Sequence, residues 1–307
     1  MRRGIVLSLM VAPAIVIYWL QSMGASSSTV RTAAAAPDEP VDCTRLVSLA
    51  PSITEILFAA GLGPKVVGVT RYCAYPETVK SLSKVGGYVD PSLEAIVTLD
   101  PTLVVLLSEH TETLMKLKTL GLNTLTVANR RVDDILQAIE TVGRVCGSEA
   151  AAARVLADLN RRITAVTAAS DGRARPKVMV AMGRNMGAGG LEDIYIAGEE
   201  SYYQDLIEMA GGRNAYTGKV PFPLMSREGM MQIDPDVIID MVPDMTAHGW
   251  TEAVIKREWQ TLPVTAVRKE RVHVFDAPYS VVPGPRFILT LEAMADVIHP
   301  DTEACFR

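Results

Sequence analysis

The segment SEAAAARVLADLNRRITAVTAAS, Ser148 to Ser170, contains neither glycine nor proline. It predicts one unbroken helix of roughly 33 Å at 1.5 Å per residue. The chain on either side follows a different period. On the N-terminal side, RLVSLAP (Arg45 to Pro51) reads as a short apolar strand, and SITEILFAAGLGPKVVGVT follows. Ser52 with Glu55 three residues on has the form of a capping box. Ile53, Ile56, Leu57 and Ala60 then share a helical face, Gly61 and Gly63 stop the helix, and VVGVT is the next strand. This β-α-β order predicts a parallel sheet. TLVVLL, HTETLMKLKTLG, NTLTVAN and VDDILQAIETVGRVCG continue it as strand, helix, strand and helix. After the polar linker DGRARP the pattern restarts with KVMVAMG, a helix near ESYYQDLIEMAGG, the strand RVHVFDAP and a last helix in PRFILTLEAMADVIHP. The expected fold is therefore α/β, with two Rossmann-like lobes, mainly parallel sheets and one long backbone helix between them. The expected divisions are 43–147 for the first lobe, 148–170 for the helix and 171–307 for the second lobe.

One short unit occurs in both lobes. SLEAIVTLDP begins at Ser92 and SREGMMQIDP at Ser226, and each runs straight into an apolar strand, TLVVLL or DVIIDM. Ser92 matches Ser226, Glu94 matches Glu228, Asp100 matches Asp234 and Pro101 matches Pro235. The serine is a good N-cap. The residue before proline is pushed out of the α region, so Asp-Pro ends the helix. Two copies of a cap, a carboxylate in the first turn and a break suggest pseudo-equivalent lobes. The plainer alternative is a good helix-turn-strand solution met twice.

Arg2 and Arg3 precede the apolar run GIVLSLMVAPAIVIYWL, and a small-residue stretch follows. That order is the order of a secretory signal, expected over 1–36, with an uncleaved N-terminal anchor as the alternative. No cysteine follows the apolar run closely, so a lipid anchor is not expected. The body is thus expected in the periplasm, where disulfides form. Cys43, Cys73, Cys146 and Cys305 contain no C-x-x-C pair, and their spacing leaves all three full pairings open. A net charge of −5 gives no basic stripe for nucleic acid.

The sequence offers no catalytic set. There is no G-x-x-x-x-G-K-[ST], no G-x-S-x-G and no H-E-x-x-H. MGRNMGAGG follows a strand but has no helix opening cleanly behind it, so it reads as a flexible loop. His110, His248, His273 and His299 lie in different elements, which gives no metal cluster. Of these only His110 falls just past the end of a predicted parallel strand, where open α/β sheets bind ligands. It reads there as an exposed histidine near a helix start.

Taken together, RLVSLAPSITEILFAAGLGPKVVGVT, VGGYVDPSLEAIVTLDPTLVV, VPFPLMSREGMMQIDPDVII and PGPRFILTLEAMADVIHP resemble the periplasmic substrate-binding proteins of ABC importers for cobalamin, siderophores and haem. RYCAYPETV and GGYVDPSLE look closest to the cobalamin-binding branch. The resemblance implies a non-enzymatic protein, a monomer when free, with no resident cofactor. It would hold a small molecule between two lobes and deliver it to a permease dimer. Glu94 and Glu228 match the acidic residues that dock each lobe onto an arginine pocket of the permease. The alternative is that each glutamate serves only its own helix start. Tyr88 and Phe222 fall where the cobalamin branch places aromatic cleft residues, and Tyr72, Tyr75, Tyr279 and His110 are further ligand-binding candidates. The chain departs from the closest cobalamin binders in having fewer tryptophans at these positions, and Trp259 reads as a packing residue. A corrinoid ranks first. A ferric siderophore, served by Arg71, Arg184 and Arg286, ranks second. Haem, with Tyr88 or His110 on iron, ranks third. From another class, a periplasmic α/β enzyme is the alternative.

Overall fold

A computed structural model describes residues 41–183, 191, 194–243 and 245–300. The expected signal segment 1–36, Arg184, most of the MGRNMGAGG loop and Cys305 lie outside these residues. The first sheet has five strands: β1 (Leu46–Ser48), β2 (Val66–Val69), β3 (Ser83–Lys84), β4 (Leu103–Leu107) and β5 (Thr124–Val127). Their order is β3-β2-β1-β4-β5, and every pairing is parallel. All five residues of β4 are buried, as expected for a strand covered on both faces by helices.

The second sheet is parallel in its main part, as expected, with an antiparallel extension at one edge. Strands β6 (Lys177–Met182), β10 (Val237–Met241) and β11 (Val272–Phe275) are parallel, and β8 (Arg213–Asn214) joins β6 in the same sense. Strands β7 (Ile194–Ile196) and β9 (Leu224–Met225) extend the sheet antiparallel. At three and two residues they are too short to show a period, so the sequence gives no warning of them.

Ten α-helices are described. The first is α1 (Pro51–Ala59), followed by α2 (Leu93–Thr98), α3 (Thr111–Thr119), α4 (Val132–Val145) and α5 (Glu149–Ser170). The second lobe carries α6 (Tyr202–Met209), α7 (Arg227–Ile233), α8 (Glu252–Trp259), α9 (Thr265–Arg268) and α10 (Phe287–Ile298). Helix α5 is the long connector. It buries Ala152, Leu159 and Val166, one residue every seven, which makes a single narrow seam. It packs on α4 and α10. Gly143 permits the close approach to α4, since a Cβ there would lie 2.5 Å from the Ala152 Cβ. Arg162 grips Glu292 on α10 with both arms of its guanidinium, at 2.7 and 2.5 Å.

One apolar cluster runs from Cys43 to Ile298, drawing on both lobes and on α5. Two smaller clusters cover the outer faces of the sheets. Trp259 lies in one of them, fully buried, with its indole N–H donated to Asp240 at 2.7 Å. It is the packing residue its surroundings in the sequence suggest. Of the three pairings left open, the fold makes Cys43–Cys146. These residues flank the first lobe, one before β1 and one after α4. Cys73 is a free buried thiol that touches the hydroxyls of Thr54 and Thr70.

The capping box expected at Ser52 and Glu55 does not form. Pro51 opens α1 at its first position, so Ser52 already lies inside the helix, and no side chain caps its start. Glu55 is buried and serves a residue 231 positions away.

Candidate functional site

A parallel strand followed by a helix leaves its C-terminal end free to carry a loop, and such loops bind ligands in open α/β sheets. Two loops at these ends reach across to the opposite lobe. The loop after β5 places Arg131 against the second lobe, where it donates to the Glu199 carbonyl at 2.9 Å and pairs with Asp205 on α6. Asp205 also accepts the Val132 N–H at 2.8 Å. The loop after β11 brings Arg286 onto Glu55 of α1, with contacts of 2.6 and 3.0 Å. The C-terminal edges of the two sheets therefore face each other, and the space between them is the candidate cleft.

The aromatic candidates divide over both walls. Tyr75 from the first lobe lies 3.8 Å from the Arg286 guanidinium, and Tyr279 from the second lies 5.5 Å from it. Both are cation–π distances. Tyr75 is 48% exposed, so much of the side chain is open to solvent. Tyr72 is half-buried, with Arg71 at 5.6 Å from its ring. Phe222 is half-buried and meets Tyr203 edge-on, with centroids 6.5 Å apart. The Tyr203 and Tyr202 hydroxyls both donate to the Ser280 carbonyl, which anchors the loop that carries Tyr279.

Tyr88 lies deeper than a cleft surface residue, at 6% exposure. Its hydroxyl donates to Glu109 at 3.1 Å, and its ring meets His110 edge-on at 4.5 Å. The exposed His110 expected from the sequence is corrected here. Both ring nitrogens are shielded from solvent and bond to no protein atom. Burial depresses its pKa to about 4, so the ring is neutral near pH 7. Glu109 still reaches solvent, but the surrounding protein raises its carboxyl above the usual range. The apolar-rich stretch around His110 resembles a strand end followed by a solvated helix. Only the tertiary neighbour Tyr88 turns it into a buried site.

Of the three arginines named for a ferric siderophore, Arg184 lies outside the described residues and the other two are already engaged. Arg71 pairs with Asp90 at 2.8 Å, and Arg286 pairs with Glu55. Burial pushes the Glu55 carboxyl up, and Arg286 pulls against that shift. Sequence reasoning missed Glu55, Arg131 and Asp205. Their partners lie 231 and 74 positions away, and no local pattern signals them.

The repeated unit is built twice in the same way. Ser92 accepts the Ala95 N–H, and Ser226 accepts the Gly229 N–H, each at 3.2 Å. Asp100 and Asp234 end their helices at φ +46° and +41°, in the left-handed region. Asp234 offsets that cost by accepting the Thr265 N–H and hydroxyl at 2.6 and 2.8 Å, which holds its carboxyl below the usual range. Each helix ends where the next parallel strand begins, so its N-terminus lies on the cleft edge of its lobe. Glu94 and Glu228 sit there in the first turn, both exposed. Among the described residues no three His, Cys, Asp or Glu side chains converge to hold a metal ion.

Residues 46–279 match the family described as periplasmic binding protein. A relative from Bacillus subtilis, an uncharacterized ABC transporter substrate-binding lipoprotein, is 28% identical over 84% of this chain and 81% of its own. A cobalamin-binding protein of Halobacterium salinarum is 28% identical over 84% of this chain and 70% of its own. A vitamin B12-binding protein of Vibrio cholerae is 25% identical, covering 84% and 89%. Among solved structures, the periplasmic heme-binding protein RhuT from Roseiflexus superposes with a TM-score of 0.71 at 26% identity, covering 85% of this chain and all of that one.

Proposed function

This chain belongs to the periplasmic binding protein family, and from that premise we propose that it captures a corrinoid between its lobes and delivers it to an ABC importer. The family and the relatives support a substrate-binding protein of the cobalamin, haem and siderophore type. The observation that carries the corrinoid reading is the state of Arg71 and Arg286. A ferric siderophore is commonly anionic and needs free cations. Arg71 and Arg286 already hold carboxylates, so each cation is neutralised where it stands. Among the described residues, what remains open is aromatic surface, chiefly Tyr75 with Tyr279 and Tyr72 nearby. Flat aromatic faces with a few polar groups suit a large, amide-fringed macrocycle. The two curated relatives named for cobalamin or vitamin B12 support the same choice.

Haem is the second reading, and one observation favours it. His110 carries a neutral imidazole beside Tyr88 whose nitrogens bond to no protein atom, and a haem would have to uncover one of them to place it on iron. A solved structure similar to this chain is named as a haem-binding protein. Titration with cyanocobalamin, a ferric hydroxamate and haem in one buffer separates the readings. Tight binding of haem without cobalamin would reverse the order, and turnover of any bound molecule would favour an enzyme.

Delivery is assigned to Glu94 and Glu228. Each is a solvated carboxylate at a helix N-terminus, favoured there by the helix dipole and free to pair with arginine bidentately. Two equivalent units on one edge fit a permease dimer with two equivalent pockets. The protein acts as a monomer outside the cytoplasm before docking. Among the described residues no helix is long and apolar enough to cross a membrane.

A further inference from the structure

The polar contacts on the cleft floor close into a ring that crosses between the lobes twice. It starts at α1, where Ser52 accepts the Asn129 side-chain N–H at 3.0 Å. Asn129 lies two residues before Arg131, which crosses to Asp205 and the Glu199 carbonyl. Asp205 shares α6 with Tyr202 and Tyr203, whose hydroxyls hold Ser280. The Ser280 loop leads to Arg286, which crosses back to Glu55 on α1. Beside this second crossing the backbones nearly touch: a Cβ on Gly284 would lie 3.3 Å from the Ser52 Cα.

We propose that Arg131 and Arg286 are positioning residues that clamp the two lobes at two points and so hold the cleft preformed for its ligand. A connecting helix alone fixes the lobes at one edge and leaves a twist about its own axis. Two crossings on separate loops remove that freedom. Of the two, Arg286–Glu55 is the more shielded, with side chains 22% and 4% exposed against 43% and 11% for Arg131–Asp205. Its loss should therefore loosen the cleft more. Arg286 also separates Tyr75 of one lobe from Tyr279 of the other, so the same contact sets the spacing of the aromatic walls.

The inference rests on the cleft being the binding site, but its main test needs no ligand. In a Cys305→Ser background, spin labels at Lys118→Cys and Lys269→Cys, both exposed and one in each lobe, report the interlobe distance. Wild type is expected to give one narrow peak. Arg131→Gln with Arg286→Gln should lose it to a broad distribution, with Arg286→Gln alone broader than Arg131→Gln alone. If the double variant does not fold, Arg131→Lys with Arg286→Lys keeps the charge but not the planar fork, and should broaden the peak partly. A folded double variant with the narrow peak intact and only a lower Tm would overturn the proposal. Cyanocobalamin affinity is read in parallel, with the double variant expected to bind more weakly. If wild type itself fails to bind cobalamin, the ligand assignment falls, while the distance data still decide the clamp.

Discussion

Replacing His110 with phenylalanine should remove part of the protein's acid sensitivity. The phenyl ring keeps the edge-on contact with Tyr88 and eliminates the titrating group. In the folded state the imidazole titrates at about 4, against 6.5 when unfolded. The unfolded chain therefore binds more protons between these values, and stability falls as pH drops through that window. One pKa unit corresponds to about 1.4 kcal/mol, so a gap of this size sets a ceiling of roughly 3 kcal/mol. The residue as a whole is only partly buried, which brings the expected loss to about 2 kcal/mol. His273 and His299 are also depressed by burial and add acid sensitivity of the same sign, so the difference between variant and wild type is the informative quantity. Urea denaturation of both proteins at pH 7, 5.5 and 4.5 measures it. The wild-type midpoint should fall faster than the variant's over this range. Parallel curves for the two proteins would refute the reasoning, because they would place a freely protonating imidazole at position 110.

Converting both Cys43 and Cys146 to serine opens a loop of 103 residues, and chemical denaturation should show a loss of about 3–5 kcal/mol. Changing Glu94 and Glu228 to alanine should leave ligand affinity intact and shift stability by only some tenths of a kcal/mol. The same pair should abolish most uptake in a reconstituted importer, since each stranded arginine costs roughly 2–5 kcal/mol if its pair is buried. Lysine at both positions should be worse than alanine. Trp259→Phe withdraws the indole donor from buried Asp240 and should cost about 1–3 kcal/mol, read by thermal melting.

Much of the fold was legible in the sequence because its signals are local. A run without glycine or proline gave the connecting helix, and Ser with Asp-Pro gave both copies of the repeated unit at their correct ends. The failures share one cause, the action of a distant residue on a locally plausible pattern. Ser52 and Glu55 have the spacing of a capping box, yet Pro51 starts the helix early and Arg286 takes the carboxylate. His110 sits where a solvated histidine would sit, and Tyr88 covers it. The candidate site was therefore placed from the sequence only as a location, at the ends of parallel strands, while the contacts that shape it were not legible. The disulfide pairing was beyond reach for the same reason, since spacing alone cannot choose among pairings.

The apolar cluster shared by both lobes and the long helix bears on how this architecture can be cut and recombined. The repeated unit suggests two interchangeable halves, but the halves are not autonomous modules. A fragment ending after α4 would keep its own sheet and disulfide while exposing the faces of α1 and α4 that now meet α5 and α6. Exposed apolar faces of that kind invite aggregation. A hybrid that takes one lobe from a relative would have to import the matching surface of the connecting helix and the partners of Arg131 and Arg286 with it. The natural unit of exchange in this fold is thus the whole two-lobed body, and diversity in what it carries must arise in the loops at the strand ends.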